Sequence, residues 1–326
     1  MAESDTSKLR ILVAGVGAFG REHLDRLTAR QDVQVVGAAD PDPTARTLVS
    51  DRYAVAHCEE SALQMLQQVS ADAIVVATPA ASHVEIALQA LEQGISVLLE
   101  KPVAPDLASA SRLADVAARS KARLLPGHVL RFSRDHQKLV EVVQSGRIGR
   151  VRYVNSRRYR GEDHAVRYSD VDPVLMTMIH DIDLALWVTQ SPFRSARAWR
   201  PDTGGFRSIT IANAVTTSGV SCDLRAAWTF VDGPLPPDRL EVVGERGSIE
   251  LEAGQSLFLY ADGQKTELSL EAGDDPLANE LDAFVSYVRD SRQTPALSID
   301  DAVKGMVLAD AVMKSLRLDR AVDLHE

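Results

Sequence analysis

The segment Gly15-Val16-Gly17-Ala18-Phe19-Gly20 spaces its glycines as G-x-G-x-x-G, and Asp40 follows 20 residues after the last of them. That spacing suits a turn that brings bare backbone up to a phosphate. Gly15 allows a tight turn, Gly17 presents no Cβ to a pyrophosphate, and Gly20 allows close packing of helix on strand. Ala18, Phe19 and Gly20 open the helix that follows, whose first N–H groups have no acceptor inside the helix and favour negative charge. The Asp40 carboxylate can accept hydrogen bonds from both hydroxyls of a ribose. The same string also serves as a structural turn, with Asp40 as a helix cap. Its position directly after a strand, within a βαβ unit, favours a dinucleotide site. A carboxylate facing a 2′-phosphate would repel it, so NAD(H) is expected in preference to NADP(H), with Arg46 near enough in the chain to compensate.

These residues need a sheet to hold them. Leu9 to Ala14, Val33 to Ala39, Ala73 to Ala77, Ser96 to Glu100 and Arg123 to Gly127 read as strands, with Ala54 to His57 as a short third one. They are rich in Val, Ile, Leu and Ala without strict alternation, as expected for strands buried on both faces. Strands alternating with helical patterns predict a parallel, doubly wound α/β sheet. After Gly127 the pattern changes. Asp135 to Gln144 and Asp172 to Thr189 read as helices, and Arg150 to Arg160 as a strand. Beyond Ser191 a period of two dominates. Cys222, Leu224, Ala226, Trp228 and Phe230 fall on one face and Ser221, Asp223, Arg225 and Thr229 on the other, which predicts an antiparallel strand with one half-wet face. Leu240 to Val243, Ser248 to Leu251 and Leu257 to Tyr260 continue that sheet. Helices near Pro276 to Arg289 and Asp300 to Leu316 close the chain. The expected division is 1–127 for a Rossmann domain and 128–326 for a substrate and oligomerisation domain of α+β type with an open, mainly antiparallel sheet; the last helix is a candidate to pack back on the first domain.

With 326 residues the chain is long enough for two domains with their own cores. A formal net charge of −10 and 5% aromatic residues argue against a nucleic-acid partner, which needs excess Lys and Arg or stacking rings. Cys58 and Cys222 fit no metal spacing and no disulfide framework, so no metal is expected. No apolar run reaches membrane-spanning length, and Met1 to Lys8 lacks the apolar core of a signal peptide, which together suggest a cytoplasmic protein.

Further residues carry a resemblance. Thr78-Pro79 follows the fourth strand, with His83 five residues after Thr78. Glu100-Lys101-Pro102 ends the next strand, and Gly127-His128-Val129-Leu130-Arg131-Phe132 marks the change of pattern. His180-Asp181-Ile182-Asp183 lies on a helix, ahead of Trp187. This set, in this order, resembles the glucose–fructose oxidoreductase/inositol dehydrogenase/MocA (Gfo/Idh/MocA) family over essentially the whole chain. The resemblance implies oxidation or reduction of a sugar, inositol, sugar-acid or nucleotide-sugar hydroxyl with a nicotinamide cofactor. It also implies oligomer contacts through the open sheet, hence a homodimer or homotetramer. It makes Lys101 the catalytic or substrate-orienting lysine and His180 the proton acceptor. Thr78, Pro79, His83, Glu100 and Lys101 join the glycines and Asp40 as cofactor-side candidates. Arg131, Arg158, Met176, Thr177 and Asp183 are substrate-side candidates. The chemistry is sound on its own terms: a secondary alcohol losing hydride needs a group to take its proton, which an imidazole suits near neutral pH, and a lysine can stabilise charge on the oxygen.

Two features complicate that expectation. The inositol dehydrogenase branch carries an aspartate four residues before the histidine, where this chain has Met176. Met176, His180, Asp183 and Trp187 share one helix face by spacing, so the missing carboxylate would have pointed the same way as His180. Seven arginines stand between positions 147 and 167, against Glu162 and Asp163. They read either as a solvated strand and loop or as a pocket for a carboxylate or phosphate. The functions left open are the dehydrogenase, a reductase of another carbonyl or imine, and a catalytically silent NAD(H)-binding sensor or regulator.

Overall fold

The computed structural model describes residues 8–204, 207–230, 233–290 and 292–324. The chain divides into two compact units, one reaching to His128 and including Leu277–Ala302, the other comprising Val129–Pro276 and the chain from Val303 onward.

The first unit holds β1 (Leu9–Ala14), α1 (Ala18–Thr28), β2 (Val33–Ala39), α2 (Pro43–Tyr53), β3 (Cys58–Glu59), α3 (Ala62–Gln68), β4 (Ala73–Val76), α4 (Ala80–Glu92), β5 (Ser96–Glu100), α5 (Leu107–Ala117) and β6 (Leu124–Gly127). Its six strands run in the order β3-β2-β1-β4-β5-β6, every pairing parallel. The order reverses beside β1, and in such sheets ligands bind at the carboxyl ends near that reversal. Ile11 to Ala14, Ala73 to Val76 and Val97 to Leu99 are fully buried, which explains why these strands show no alternation. The third strand falls at Cys58–Glu59 rather than at Ala54 to His57. Ala54 takes a left-handed conformation (φ 52°) as the C-cap of α2, so the chain is still turning there.

The second unit opens with a 3₁₀ turn (Val129–Phe132) and continues through α6 (Arg134–Gln144), β7 (Val151–Gly161), α7 (Glu162–Arg167), a π-helical turn (Val174–Met178) and α8 (Ile179–Thr189). Then come β8 (Phe193–Trp199), β9 (Ser208–Thr216), β10 (Ser221–Phe230), β11 (Arg239–Gly244), β12 (Gly247–Glu252), β13 (Ser256–Ala261) and β14 (Gln264–Glu267). With β15 (Val322–Asp323) they form a sheet ordered β14-β13-β12-β11-β7-β10-β9-β8-β15. β10 alternates as expected: Cys222, Leu224 and Ala226 are buried while Ser221 and Arg225 are exposed. The side chains of Thr229 and Phe230 lie outside the described residues. β10 pairs antiparallel with β9 but parallel with β7, so the sheet is mixed. Alternation cannot distinguish the two, because both kinds of ladder have the same side-chain period.

Two helices remain, α9 (Pro276–Arg289) and α10 (Ile299–Leu318). The segment grouped with the first unit is Leu277–Ala302, which carries α9; the greater part of the last helix belongs to the second unit. α9 buries Leu277, Leu281, Phe284 and Val285. Arg289 meets Asp32 at 3.3 Å, Arg30 pairs with Asp282, and the Arg123 guanidinium lies 4.4 Å from the Tyr287 ring centre. Among the described residues no helix is long and apolar enough to cross a membrane.

Candidate active site

In the first unit the glycine turn is built as its sequence demands. Gly15 has φ 82°, and a Cβ there would stand 2.6 Å from the Ala77 carbonyl oxygen. At Gly20 an added Cβ would sit 1.9 Å from the Gly15 carbonyl oxygen. At Gly17 it would meet nothing within 4 Å, so the missing side chain leaves open space against bare backbone. Side chains of Asp42, Ser61 and Asp106 cap α2, α3 and α5, but Gly17 caps α1 with no side-chain bond, and the first turn of α1, with Ala18 and the exposed Phe19, holds no acidic residue. The start of α1 therefore keeps its positive end for another anion. Asp40 is pinned: Oδ2 accepts the Val16 N–H at 2.8 Å and Oδ1 the Asp42 N–H at 2.9 Å. Each oxygen keeps a further lone pair for a ribose hydroxyl. Arg46 bonds the Asp40 and Pro41 carbonyls at 2.7 and 3.0 Å, which ties it to the same turn. These features fit a dinucleotide, with Gly15 to Gly20 for its pyrophosphate and Asp40 for a ribose.

The next two strand ends are tied together. His83, buried on α4, sets Nε2 2.7 Å from the Thr78 carbonyl and Nδ1 2.8 Å from the Pro102 carbonyl. Burial pushes this imidazole below its ordinary pKa, although both carbonyls pull the other way. His83 thus links the Thr78-Pro79 loop to the turn after Lys101. The Lys101–Pro102 peptide is cis. The Lys101 N–H donates to Glu100 Oε2 at 3.2 Å, and Glu100 Oε1 lies 2.9 Å from His23 Nε2 on α1. The glycine turn, Asp40, the Thr78 loop and Lys101 are thereby assembled at one end of the parallel sheet.

In the second unit the expected helix begins with the π turn, an insertion common at functional sites. Met176 and His180 are half-buried, whereas Thr177, Met178 and Ile179 between them are buried, so the two share the more open side. Thr177 accepts the Trp228 indole N–H at 2.7 Å. Asp183 is buried and takes a two-point bond from Arg131, at 2.8 and 2.9 Å, and the Arg131 guanidinium lies 4.9 Å from the Trp187 ring centre. Arg158 is equally occupied: its Nε and Nη2 bond Asp181 at 3.1 and 3.0 Å, and its Nη1 bonds Asp238. His136 on α6 is enclosed as well, and burial with the charge of Arg158 pushes it down to about 3. Within the arginine-rich stretch, Arg150 and Arg152 pair with Glu245, Arg157 with Glu252, and Arg160 with Asp238. These pairings match a laced sheet surface better than an anion pocket.

Two residues went unnoticed in the sequence. His23 stands three positions after Gly20, one helical turn on. Glu280 occupies the apolar stripe of α9. Both carry a readable signal, a polar residue at a buried helical spacing. Asp181, a candidate stand-in for the carboxylate absent at Met176, instead neutralises Arg158, a partner 23 residues away.

Comparison with known proteins matches this geometry. Residues 9–128 match the family model of the Gfo/Idh/MocA oxidoreductases with an NAD-binding Rossmann fold, and residues 136–250 match the GFO/IDH/MocA C-terminal domain. An inositol 2-dehydrogenase from Rhodococcus erythropolis is 30% identical over 276 residues, covering 77% of this chain and 74% of its own. One from Burkholderia cenocepacia is 27% identical over 320 residues, 94% of each chain. An oxidoreductase from Agrobacterium radiobacter, crystallised with NAD+, L-tartaric acid and magnesium, superimposes with a TM-score of 0.88 at 17% identity over 98% of this chain and 99% of its own. With both domain models matched across most of its length, the chain belongs to the Gfo/Idh/MocA oxidoreductase family and is a nicotinamide-dependent dehydrogenase.

Proposed function

We propose that the protein oxidises a secondary hydroxyl of a polyol, sugar, sugar acid or nucleotide sugar, or reduces the corresponding carbonyl, using NAD(H) in preference to NADP(H). The observation that carries this is the placement of Lys101 directly after β5, its amide held by Glu100, at the same sheet end as the glycine turn and Asp40. Support comes from the relatives, which are named as dehydrogenases of inositol, a ring of CH–OH groups. When bound, the nicotinamide supplies or takes up the hydride. Lys101 holds the substrate oxygen and stabilises its negative charge. His180 takes the hydroxyl proton in oxidation and returns it in reduction. Arg131 and Asp183 brace α8, and Arg158 with Asp181 braces it against β7. NADH formation, followed by nicotinamide absorbance over a panel of polyols, sugar acids and nucleotide sugars, tests this directly. Turnover of at least one member is expected, and NAD+ binding without turnover anywhere would replace the enzyme with a sensor.

Met176 narrows the substrate. Asp181 and Asp183 are both engaged by arginines, so neither replaces the absent carboxylate on the open side of the helix. Methionine offers dispersion and only a weak acceptor, so a substrate hydroxyl facing it would lose water without gaining a partner. The preferred substrate is therefore expected to present an apolar edge there. Unsubstituted myo-inositol should be a poor substrate, and Met176→Asp should raise its kcat/KM by about tenfold or more, one recovered hydrogen bond to a charged group. Efficient wild-type turnover of myo-inositol, unimproved by the substitution, would show that this position does not set specificity.

A further inference from the structure

Behind the Glu100-Lys101 turn, the first unit encloses groups that the chemistry above does not use. His23 on α1 and Glu280 on α9 are fully buried, and Glu100 is 5% exposed. His23 Nε2 and the Lys101 N–H each take one oxygen of Glu100. Neither carboxyl oxygen of Glu280 has a hydrogen-bond partner among the described residues. The enclosure is tight, since a Cβ at Gly127 on β6 would stand 3.1 Å from the Glu100 carboxyl carbon. An ionised carboxylate without donors is among the costliest groups to bury, and a second carboxylate nearby adds to the cost. Glu100 has two donors and Glu280 has none, so the charge belongs on Glu100. Burial, and then the charge of Glu100, push the Glu280 carboxyl well above the usual carboxylate range.

We propose that His23, Glu100 and Glu280 form a positioning cluster for Lys101, with Glu280 kept as the neutral acid so that one negative charge, on Glu100, steadies the Lys101 amide and favours its ammonium. The charged and titratable groups around it are His23 from α1, Lys101 after β5, His83 from α4, which feels both Glu100 and Lys101, and Glu280 from α9. The Lys101 half of this proposal rests on the proton-handling role given to Lys101 above; the neutral Glu280 does not.

Two measurements on the full-length protein test it. The first is the melting temperature of wild type and Glu280→Gln across about pH 5 to 8. A carboxyl whose folded pKa is raised above its unfolded value stabilises the fold fully only below the unfolded value, and that stability is lost as pH rises towards the folded one. Gln mimics the neutral acid and loses nothing. Its advantage should therefore grow with pH, by up to about tenfold per pH unit in the folding equilibrium. A difference that stays constant, or a variant that weakens with rising pH, would overturn the neutral acid.

The second measurement is the pH profile of kcat/KM for Glu100→Gln, which keeps an acceptor for the Lys101 amide and removes the charge. The alkaline limb should move to lower pH, because the negative charge carried by the residue next to Lys101 in the chain is removed. A purely structural defect would lower the profile without moving it. An unmoved limb would overturn the link to Lys101. If Lys101→Ala also retained turnover, the fault would lie with the proposed function instead, while the melting comparison would still decide Glu280. Should Glu100→Gln not fold, the same limb is read in His23→Gln, which keeps an amide donor in place of the ring and should leave the limb where it is; a shift there would overturn the assignment of the charge to Glu100.

Discussion

Lys101→Ala and His180→Ala are each expected to lower kcat/KM by about 10²–10⁴-fold, the usual contribution of a positioned acid–base group, with NADH affinity retained. The two halves of the expectation test different things. The side chain of Lys101 leaves a backbone already fixed by Glu100 and by the His83 bridge to Pro102, so removing it should leave the turn standing. His180 is half-buried on a helix braced by Asp181–Arg158 and Asp183–Arg131, and losing its ring should not unseat that helix. Turnover should fall through kcat in both variants, with cofactor binding by calorimetry within a few-fold of wild type. Joint loss of activity and NADH binding would indicate a cofactor-loop role. Near-normal kcat in either variant would remove that residue from the mechanism.

The second large effect concerns cofactor choice. Asp40 cannot swing away from a 2′-phosphate, because the Val16 and Asp42 amides hold both its oxygens. A phosphate placed there would meet a fixed like charge, and the carboxylate would lose its ribose hydrogen bonds. Even one misplaced charge contact costs about 1–3 kcal/mol, or roughly ten- to hundredfold in affinity. Arg46 is anchored to the same turn, its Nη1 bonding the Asp40 and Pro41 carbonyls. The ratio of kcat/KM for NAD+ over NADP+ should therefore exceed about tenfold in the wild type. Asp40→Ser, which keeps a small acceptor for the turn and removes the charge, should cut that ratio by about tenfold or more. An unchanged ratio in the variant would show that selectivity comes from elsewhere.

Much of this was legible in the residues because it depends on short spacings. The glycine turn, Asp40 and the both-sides-buried strands are set by neighbours within one βαβ unit. What escaped depends on distant partners. Nothing local marks Arg131 as the mate of Asp183, 52 residues away, or Arg158 as the mate of Asp181. The parallel pairing of β10 with β7 leaves no trace in alternation, and the π turn at Val174–Met178 depends on packing that apolar spacing does not encode. Cys58–Glu59 replaced the expected third strand because the left-handed Ala54 postpones the start of the strand. Glu280 is a different case. Leu277, Leu281 and Phe284 stand three to four positions apart, and a glutamate in that stripe is a buried acid that the sequence alone could have flagged.

The most direct test of the dehydrogenase is the fate of the hydrogen on the oxidised carbon. The best substrate from the panel, deuterated at that carbon, should transfer its deuterium to the nicotinamide ring of NADH without exchange with solvent, and Lys101→Ala should suppress the transfer. Deuterium released to water, or NAD+ bound with no transfer from any polyol, sugar acid or nucleotide sugar, would contradict it.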